Sequence, residues 1–331
     1  MTTLKDIAQR AGVTATTVSR VINNRGYISE GTRKKVYAAM EEMHYQPNEL
    51  ARAFSKQYTN TIGLIVPHIS HPFFIKVISN LESSAAEKGF KLLLCNSKEQ
   101  PEKEQDYLDM CISNRVAGIV LCSKYVQTRE FRKMNIPVVN LERGGDDDTI
   151  SVQCDNYQGG KLAAEHLIEC GCKNLLHFGG VAGKDMPADR RADGFSDVCK
   201  KAGIPYHILV SDRLQYGSMH YEDFIRRALQ EFPDVDGIFA SSDLIASQVI
   251  QVGAQMGKRV PEDIQLIGFD DVMISTVTTP QITTIHQPVE EMTELCVEYI
   301  AKSLKNESVP QKIVLPVRLV QRGTTVLKTE I

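Results

Sequence analysis

The chain has 331 residues, 42% of them apolar and 24% charged, with a formal net charge of −3. That length exceeds one ordinary domain, no apolar run is long enough to span a bilayer, and Lys5, Asp6 and Arg10 stand where an export signal needs an apolar stretch. The charge is divided: residues 1–60 hold nine Lys and Arg against five Asp and Glu, a net +4, and the rest holds 29 against 36, a net −7, so a basic head suited to phosphate contacts precedes an acidic body that resists lying along DNA.

In chain order, Leu4, Ile7, Ala8 and Ala11 mark the inner face of a short helix, which Gly12 ends because glycine takes the left-handed turn cheaply. Thr14 is placed to cap a second helix in which Val18 and Val21 face inward. Ala15, Thr16, Thr17, Ser19 and Arg20 then point outward near its beginning, a helix-turn-helix pattern whose second helix enters the DNA major groove. Ser29 caps a third helix, with Val36, Met40 and Met43 on one face and Arg33, Lys34 and Lys35 on its outer side. Pro47 breaks the pattern, and Asn48 can cap a further short helix through Lys56, too short to be stable without a partner.

Leu4-Lys5-Asp6-Ile7-Ala8, Gly12-Val13-Thr14, Thr17-Val18-Ser19-Arg20-Val21-Ile22-Asn23 and Tyr45-Gln46-Pro47-Asn48 resemble the headpiece of the lactose-repressor and galactose-repressor family of bacterial transcription regulators, continuously from about Thr3 to Phe54. The resemblance implies DNA contacts by Ala15, Thr16, Thr17, Ser19, Arg20 and Asn23. It also implies a hinge helix, carrying Asn48, Ala51 and Phe54, that pairs with its copy in a second subunit. Phe54 stands where the family usually has leucine, and phenylalanine is an accepted minor-groove wedge.

From Thr61 the pattern becomes alternating strands and helices. Apolar runs at Thr61–Val66, Lys91–Cys95, Gly118–Leu121, Pro137–Leu141 and Ile150–Cys154 read as strands buried on both faces, with helices at Phe74–Ala85, Gln105–Ile112 and Thr128–Met134. The alternation restarts with strands at Asn174–Phe178, His207–Val210, Gly237–Ala240 and Gln265–Gly268. After Gln287-Pro288 a helix runs through Met292, Leu295, Cys296 and Tyr299 to an extended Lys312–Val320. The expected fold is therefore an all-α helix-turn-helix headpiece plus an α/β, two-lobed core with parallel sheets, similar to periplasmic binding proteins. The domains are 1–47 (headpiece), 48–60 (hinge) and 61–331 (effector binding and dimerisation), the last split into an N-subdomain of about 61–157 with 288–320 and a C-subdomain of about 158–287 with 321–331.

Ligands of open parallel sheets sit beyond the carboxyl ends of the strands. There the resemblance implies effector contacts by His71, Phe73, Phe74, Ser123, Glu142, Arg143, Asp185, Arg191, Ser242 and Asp270. Paired aromatics can cover the apolar face of a sugar ring, although Phe74 also fits the core stripe of the following helix. Carboxylates and an arginine converging from two lobes suit a polyhydroxylated ligand, because buried polar groups need partners. Lys184 and Arg190, beside Asp185 and Asp189, would suit a phosphorylated sugar. Ser242 departs from the Asn that sugar-binding members often carry.

Gly179-Gly180-Val181-Ala182-Gly183-Lys184-Asp185 looks like a phosphate-cradling loop, but is one residue short and lacks the Ser or Thr after lysine. No dinucleotide turn, nucleophile elbow or metal-ligand spacing appears, and the eight scattered cysteines read as reduced thiols. The expectation is a cytoplasmic, nucleoid-associated regulator of a bacterium, not an enzyme, with no cofactor or metal. It would be a homodimer that represses a carbohydrate-utilisation operon from a pseudo-palindromic operator under a sugar or sugar-phosphate effector. Alternatives are a catabolite-control-type regulator with a phosphoprotein corepressor and a cytoplasmic sugar-binding protein.

Overall fold

Thr3, Thr14 and Ser29 each turn a hydroxyl onto a free backbone N–H three residues on and so open helices α1 (Leu4–Ala11), α2 (Ala15–Ile22) and α3 (Glu30–Glu42). Asp6 completes a capping box by accepting the Thr3 N–H at 2.7 Å, and Gly12 ends α1 at φ 68°. Ile7, Ala8, Val18, Val21, Val36 and Ala39 form the buried core of these helices, with Leu4, Met40 and Met43 packed against it. Arg10 and Glu42 pair at 2.7 Å across the surface, an exposed contact worth less than about 1 kcal/mol.

The computed structural model describes residues 2–23, 25–45, 58–123, 125, 136–143, 149–181 and 186–328. The chain divides into two compact units, Met1–Asn60 and Thr61–Ile331. The expected helices at 48–56 and Thr128–Met134 lie outside the described residues, as do Asn48, Ala51, Phe54, Lys184 and Asp185.

The second unit holds two sheets. Strands β1 (Thr61–Val66), β2 (Lys91–Asn96), β3 (Gly118–Leu121), β4 (Val138–Leu141), β5 (Ile150–Cys154) and β11 (Lys312–Leu315) form the first, in the order β11-β5-β4-β3-β1-β2. Strands β6 (Leu175–Val181), β7 (Tyr206–Ser211), β8 (Gly237–Ala240), β9 (Gln265–Asp270), β10 (Thr283–His286) and β12 (Arg318–Val320) form the second, in the order β12-β10-β9-β8-β6-β7. Both orders are the same doubly wound pattern, so the second lobe repeats the architecture of the first. Helices α4 (Pro72–Glu87), α5 (Pro101–Ser113) and α12 (Val289–Ser303) pack on the first sheet; α6 (Asn156–Glu169), α7 (Arg190–Ala202), α9 (Glu222–Glu231) and α10 (Asp243–Gln255) belong to the second lobe, with the short α8 (Arg213–Ser218) and α11 (Ile274–Val277).

The tail corrects one expectation. β11 pairs parallel with β5, but β12 pairs antiparallel with β10, so the sheets are not wholly parallel and the return crossing falls at Pro316-Val317 instead of after Val320. β11 ends at the carboxyl end of the first sheet, so the two residues that follow carry the chain into the second sheet from its carboxyl end, against the direction of β10. A second difference is the length of β6. Gly179 and Val181 pair with Val210 and Ser211, so the start of the glycine-rich stretch is extended strand.

Gly160 on α6 and Gly194 on α7 let these helices meet backbone to backbone. A Cβ on Gly160 would lie 2.0 Å from the Arg191 carbonyl oxygen, and one on Gly194 would lie 2.0 Å from that of Tyr157. This contact fixes the start of α7, where Arg191 sits, while Phe195 one turn on is fully buried. Among the described residues no helix is long and apolar enough to cross a membrane.

Candidate functional site

The carboxyl ends of the strands of both sheets face a common cleft with a cavity volume of about 140 Å³. Pro67, Glu99, Cys122 and Glu142 line it from the loops after β1 to β4; Gly180, Ser211, Ser241 and Asp270 line it from the ends of β6 to β9. Gln287 joins them from the crossing between β10 and α12.

Arg191 reaches the cleft from the first turn of α7. Its Nε donates to Asn156 Oδ1 at 2.7 Å, its Nη1 donates to the Ser241 carbonyl oxygen at 2.6 Å, and its guanidinium lies 3.5 Å from the centroid of the Phe269 ring. A buried cation held on two acceptors and an aromatic face has one preferred geometry, which prepares its remaining donor edge for a ligand. Asp270 ends β9 with φ 110° and accepts a hydrogen bond from Gln287 Nε2 at 2.6 Å. Burial pushes its carboxyl up to about 7, against the opposing pull of Arg191 and of the Gln287 hydrogen bond. Glu142 is also left-handed, at φ 49°, and accepts from the Cys154 N–H and from Asn156 Nδ2. Two carboxylates held in a sparsely populated backbone region, at about 1–3 kcal/mol each, mark where the fold sacrifices stability to aim side chains.

His71 caps α4: its Nδ1 accepts the Phe73 N–H at 3.2 Å, which requires an unprotonated Nδ1. Burial lowers this imidazole to about 4, so the ring stays neutral at ordinary pH. Phe73 and Phe74 are both buried, meet edge to face at 5.2 Å, and both line the cleft, so Phe74 is core and site together. Tyr216, from α8 in the second lobe, sits edge-on to His68 of the first lobe at 5.5 Å and lines the opposite wall.

Two expected effector contacts lie off the cleft lining. Ser123 is buried beyond the lining, its hydroxyl without a hydrogen-bond partner among the described residues, and Cys122 takes its place at the cleft. Arg143 turns into the first lobe, where its Nη1 donates to Asn140 Oδ1 at 3.0 Å, and Glu142 takes the cleft. In both cases the residue that directly follows the strand faces the cleft and the next one does not. Ser242 does line the cleft, but its hydroxyl caps α10 by accepting the Ile245 N–H at 3.2 Å. Gln287, Asn156 and Tyr216 were not singled out by sequence; the proline after Gln287 and the place of Asn156 directly after the Asp155 cap of α6 were the available signals. Among the described residues no group of three or more His, Cys, Asp or Glu is placed to hold a metal ion.

The first unit presents its own candidate surface. On α2, Thr16 and Arg20 are exposed, and Arg20 has no ion-pair partner among the described residues. Others expected to face outward are already occupied. Ala15 packs partly against the core, the Thr17 hydroxyl meets that of Thr14 at 2.9 Å, and Asn23 Nδ2 donates to the Ser19 carbonyl and hydroxyl oxygens.

Comparison with known proteins places residues 3–48 in "Bacterial regulatory proteins, lacI family" and residues 164–325 in "Periplasmic binding protein-like domain". A ribose operon repressor of Halalkalibacterium halodurans is 34% identical over 98% of this chain and 97% of its own. A sucrose operon repressor of Pediococcus pentosaceus is 35% identical over 97% of this chain and 98% of its own. Among solved structures, a periplasmic binding protein/LacI transcriptional regulator of Alkaliphilus metalliredigens complexed with D-xylulofuranose superposes with a TM-score of 0.72 at 32% identity, covering 81% of this chain and 100% of that one. The lac repressor dimer bound to operator and an anti-inducer shares the fold, with a TM-score of 0.82 over 98% and 99% of the two chains at 24% identity.

Proposed function

Because the chain belongs to the lacI family of bacterial regulatory proteins, we propose that it is an operon repressor whose operator affinity is set by a sugar or sugar phosphate in the cleft between its lobes. The observation that carries the effector half is the convergence of Arg191, Asp270 and Glu142 beside Phe73, Phe74 and Tyr216 in one cleft. Donors and acceptors fixed next to aromatic faces match a ring with hydroxyls at its rim and C–H groups on its face. The relatives named as ribose and sucrose operon repressors and the neighbour holding D-xylulofuranose support a carbohydrate effector.

For DNA, Thr16 and Arg20 are the side chains assigned to base edges, arginine suiting guanine. Thr17, Ser19 and Asn23 shape that surface, and the hinge residues Asn48, Ala51 and Phe54 enter the minor groove. The headpiece is assigned to 1–47, the hinge to 48–60, and effector binding and dimerisation to 61–331. A homodimer on a pseudo-palindromic operator agrees with the exposed apolar side chains of the sheet-edge strands, Leu94 on β2 and Ile208 and Val210 on β7. The protein acts in the cytoplasm, at the nucleoid. The relatives it matches are operon repressors, and no catalytic step is assigned.

Effector binding alters the lobe arrangement, the hinge segments lose their pairing, and operator affinity changes. By linkage, operator must change effector affinity by the same factor. Selection of genomic fragments by the purified protein at about physiological salt, where surface charge is largely screened, tests the DNA half. Enrichment of palindromes beside sugar transport genes is the expected result, and binding without sequence preference would refute it. Repeating the selection with candidate sugars tests the effector half, and unchanged operator affinity with every bound sugar would refute the coupling.

A further inference from the structure

We infer that Asp271, which lies off the cleft lining, is the positioning residue that ties an occupied cleft to the chain crossings at Gln287-Pro288 and Pro316-Val317. This rests on the reading of the cleft as the effector site of an operon repressor and names the residue through which that site acts. Asp270, which lines the cleft, and Asp271 are consecutive at φ 110° and 55°. The N–H that follows, of Val272, is held at 2.9 Å by the buried Asp243 carboxylate. Two successive residues in a sparsely populated backbone region, pinned from beneath, have little freedom to turn separately. A pull on the Asp270 carboxylate therefore moves Asp271 with it.

Each carboxylate oxygen of Asp271 is in use. Oδ1 accepts from Arg322 Nη2 at 2.6 Å, and Oδ2 meets His286 Nδ1 at 2.8 Å. Burial opposes the charge, but the hydrogen bonds from Arg322 and His286 hold the Asp271 carboxyl below its ordinary value, so both oxygens act as acceptors. The three side chains are mostly buried, where salt screens a charge pair little. Both partners sit at a crossing. His286 ends β10 and directly precedes Gln287, whose amide holds Asp270 and after which the chain leaves for α12. Arg322 follows β12, which the chain reaches from β11, and its Nη1 also donates to the Ile282 carbonyl oxygen at 2.9 Å and the Ser275 hydroxyl at 3.2 Å.

The first lobe reaches the same turn. Lys76 on α4 donates from Nζ to the Asp271 carbonyl oxygen at 3.4 Å and pairs with Glu290 of α12, also at 3.4 Å. One turn thus carries a cleft carboxylate, a clamp on each of these crossings and a contact from the facing lobe. A sugar hydroxyl that draws Asp270 shifts all of them together, and a lobe movement imposed by DNA shifts Asp270 in return, as linkage requires.

Isothermal titration of the full-length protein with ribose, xylulose, fructose and sucrose tests this, each sugar alone and with the palindromic fragment that the protein selects from genomic DNA. The pair of titrations gives the factor by which operator changes sugar affinity. In Asp271→Ala that factor should fall at least about threefold toward 1. Sugar should still bind the DNA-free variant, because Gln287 and Asp243 keep their hold on the turn. Asp271→Asn should keep most of the factor, since its amide oxygen still accepts from Arg322 while its NH2 donates to a neutral His286. A merely structural role would lower the melting temperature and leave the factor alone. Lys76→Met, at a half-buried side chain, should also lower the factor and decides the case if Asp271→Ala does not fold. An unchanged factor in folded Asp271→Ala or in Lys76→Met overturns the inference. So does loss of sugar binding by folded Asp271→Ala, which would make Asp271 part of the site itself. A parent protein that binds none of these sugars, or whose sugar and operator affinities are independent, overturns the effector reading and this inference with it.

Discussion

The two units of this chain handle polar side chains in opposite ways. On α2 the useful groups, Thr16 and Arg20, stand in water with nothing to hold them, so their specificity is supplied by whatever they meet. In the cleft the useful groups are buried or half-buried and already bonded: Arg191 on Asn156 and Ser241, Asp270 on Gln287, Glu142 on Asn156. A surface that reads a long, rigid partner needs side chains at a fixed spacing. A cavity that encloses a small one needs each side chain aimed, and the aiming requires a second layer of bonds.

The sharpest way to break this contrast is to loosen the second layer. Gly194→Ala drives a Cβ into the Tyr157 carbonyl oxygen, which backbone cannot easily evade, and should destabilise the second lobe by at least about 3 kcal/mol and abolish sugar binding. Calorimetry should show the body melting early, and an unchanged transition would refute the close-contact account. Asp270→Asn probes the cost of burying a carboxylate. A folded-state value of about 7 against an ordinary 3.8 means that the parent's contribution from this group is full below about pH 4 and lost as pH rises through 7. The asparagine variant should therefore be more stable than the parent by on the order of 2 kcal/mol at pH 8, with the gap closing toward pH 4, while binding sugar more weakly. Denaturant titrations at the two pH values decide it; a gap that widens in acid would reverse the sign.

On the exposed side the effects are smaller and confined to DNA. Arg20→Ala should cost about 1–3 kcal/mol of operator affinity, with non-operator DNA and sugar affinities little changed. Fluorescence anisotropy with both duplexes reads that ratio, and an equal loss on both would make Arg20 a phosphate contact. Thr14→Ala removes the cap that holds the Thr17 N–H at 3.1 Å and should cost the headpiece about 1 kcal/mol. A headpiece transition that does not move would show that tertiary packing alone holds α2.

This difference also sets how much of each unit is legible in the sequence. Headpiece caps and core follow from local spacing, because Thr3, Thr14, Ser29 and the apolar stripes act within one turn of where they stand. The alternating pattern of the body and the cleft positions of Arg191 and Asp270 follow similarly, the latter through their motifs. The place of Cys122 at the cleft instead of Ser123, and of Arg143 away from it, does not, because the backbone conformation of the residues just past a strand decides which side chain faces the ligand and no local signal fixes it. Gln287 and Tyr216 acquire their place only when two lobes far apart in sequence are set facing each other. The polarity of the last strand is equally hidden, since it depends on the end from which the chain enters the second sheet.

The split ownership of the C-terminal segment also bears on how the protein is made. The first sheet begins at Thr61, yet its helix α12 and edge strand β11 are the last parts of that lobe to be synthesised, after nearly all of the second lobe. From Cys154 to Leu315 the ribosome adds about 160 residues, roughly 8–30 s at 5–20 residues per second, during which the β3 surface at Gly118 waits for Ile300. The nascent first lobe is thus an unfinished half for much of its synthesis. A chain cut short before Val289 loses the closing pieces of both lobes at once.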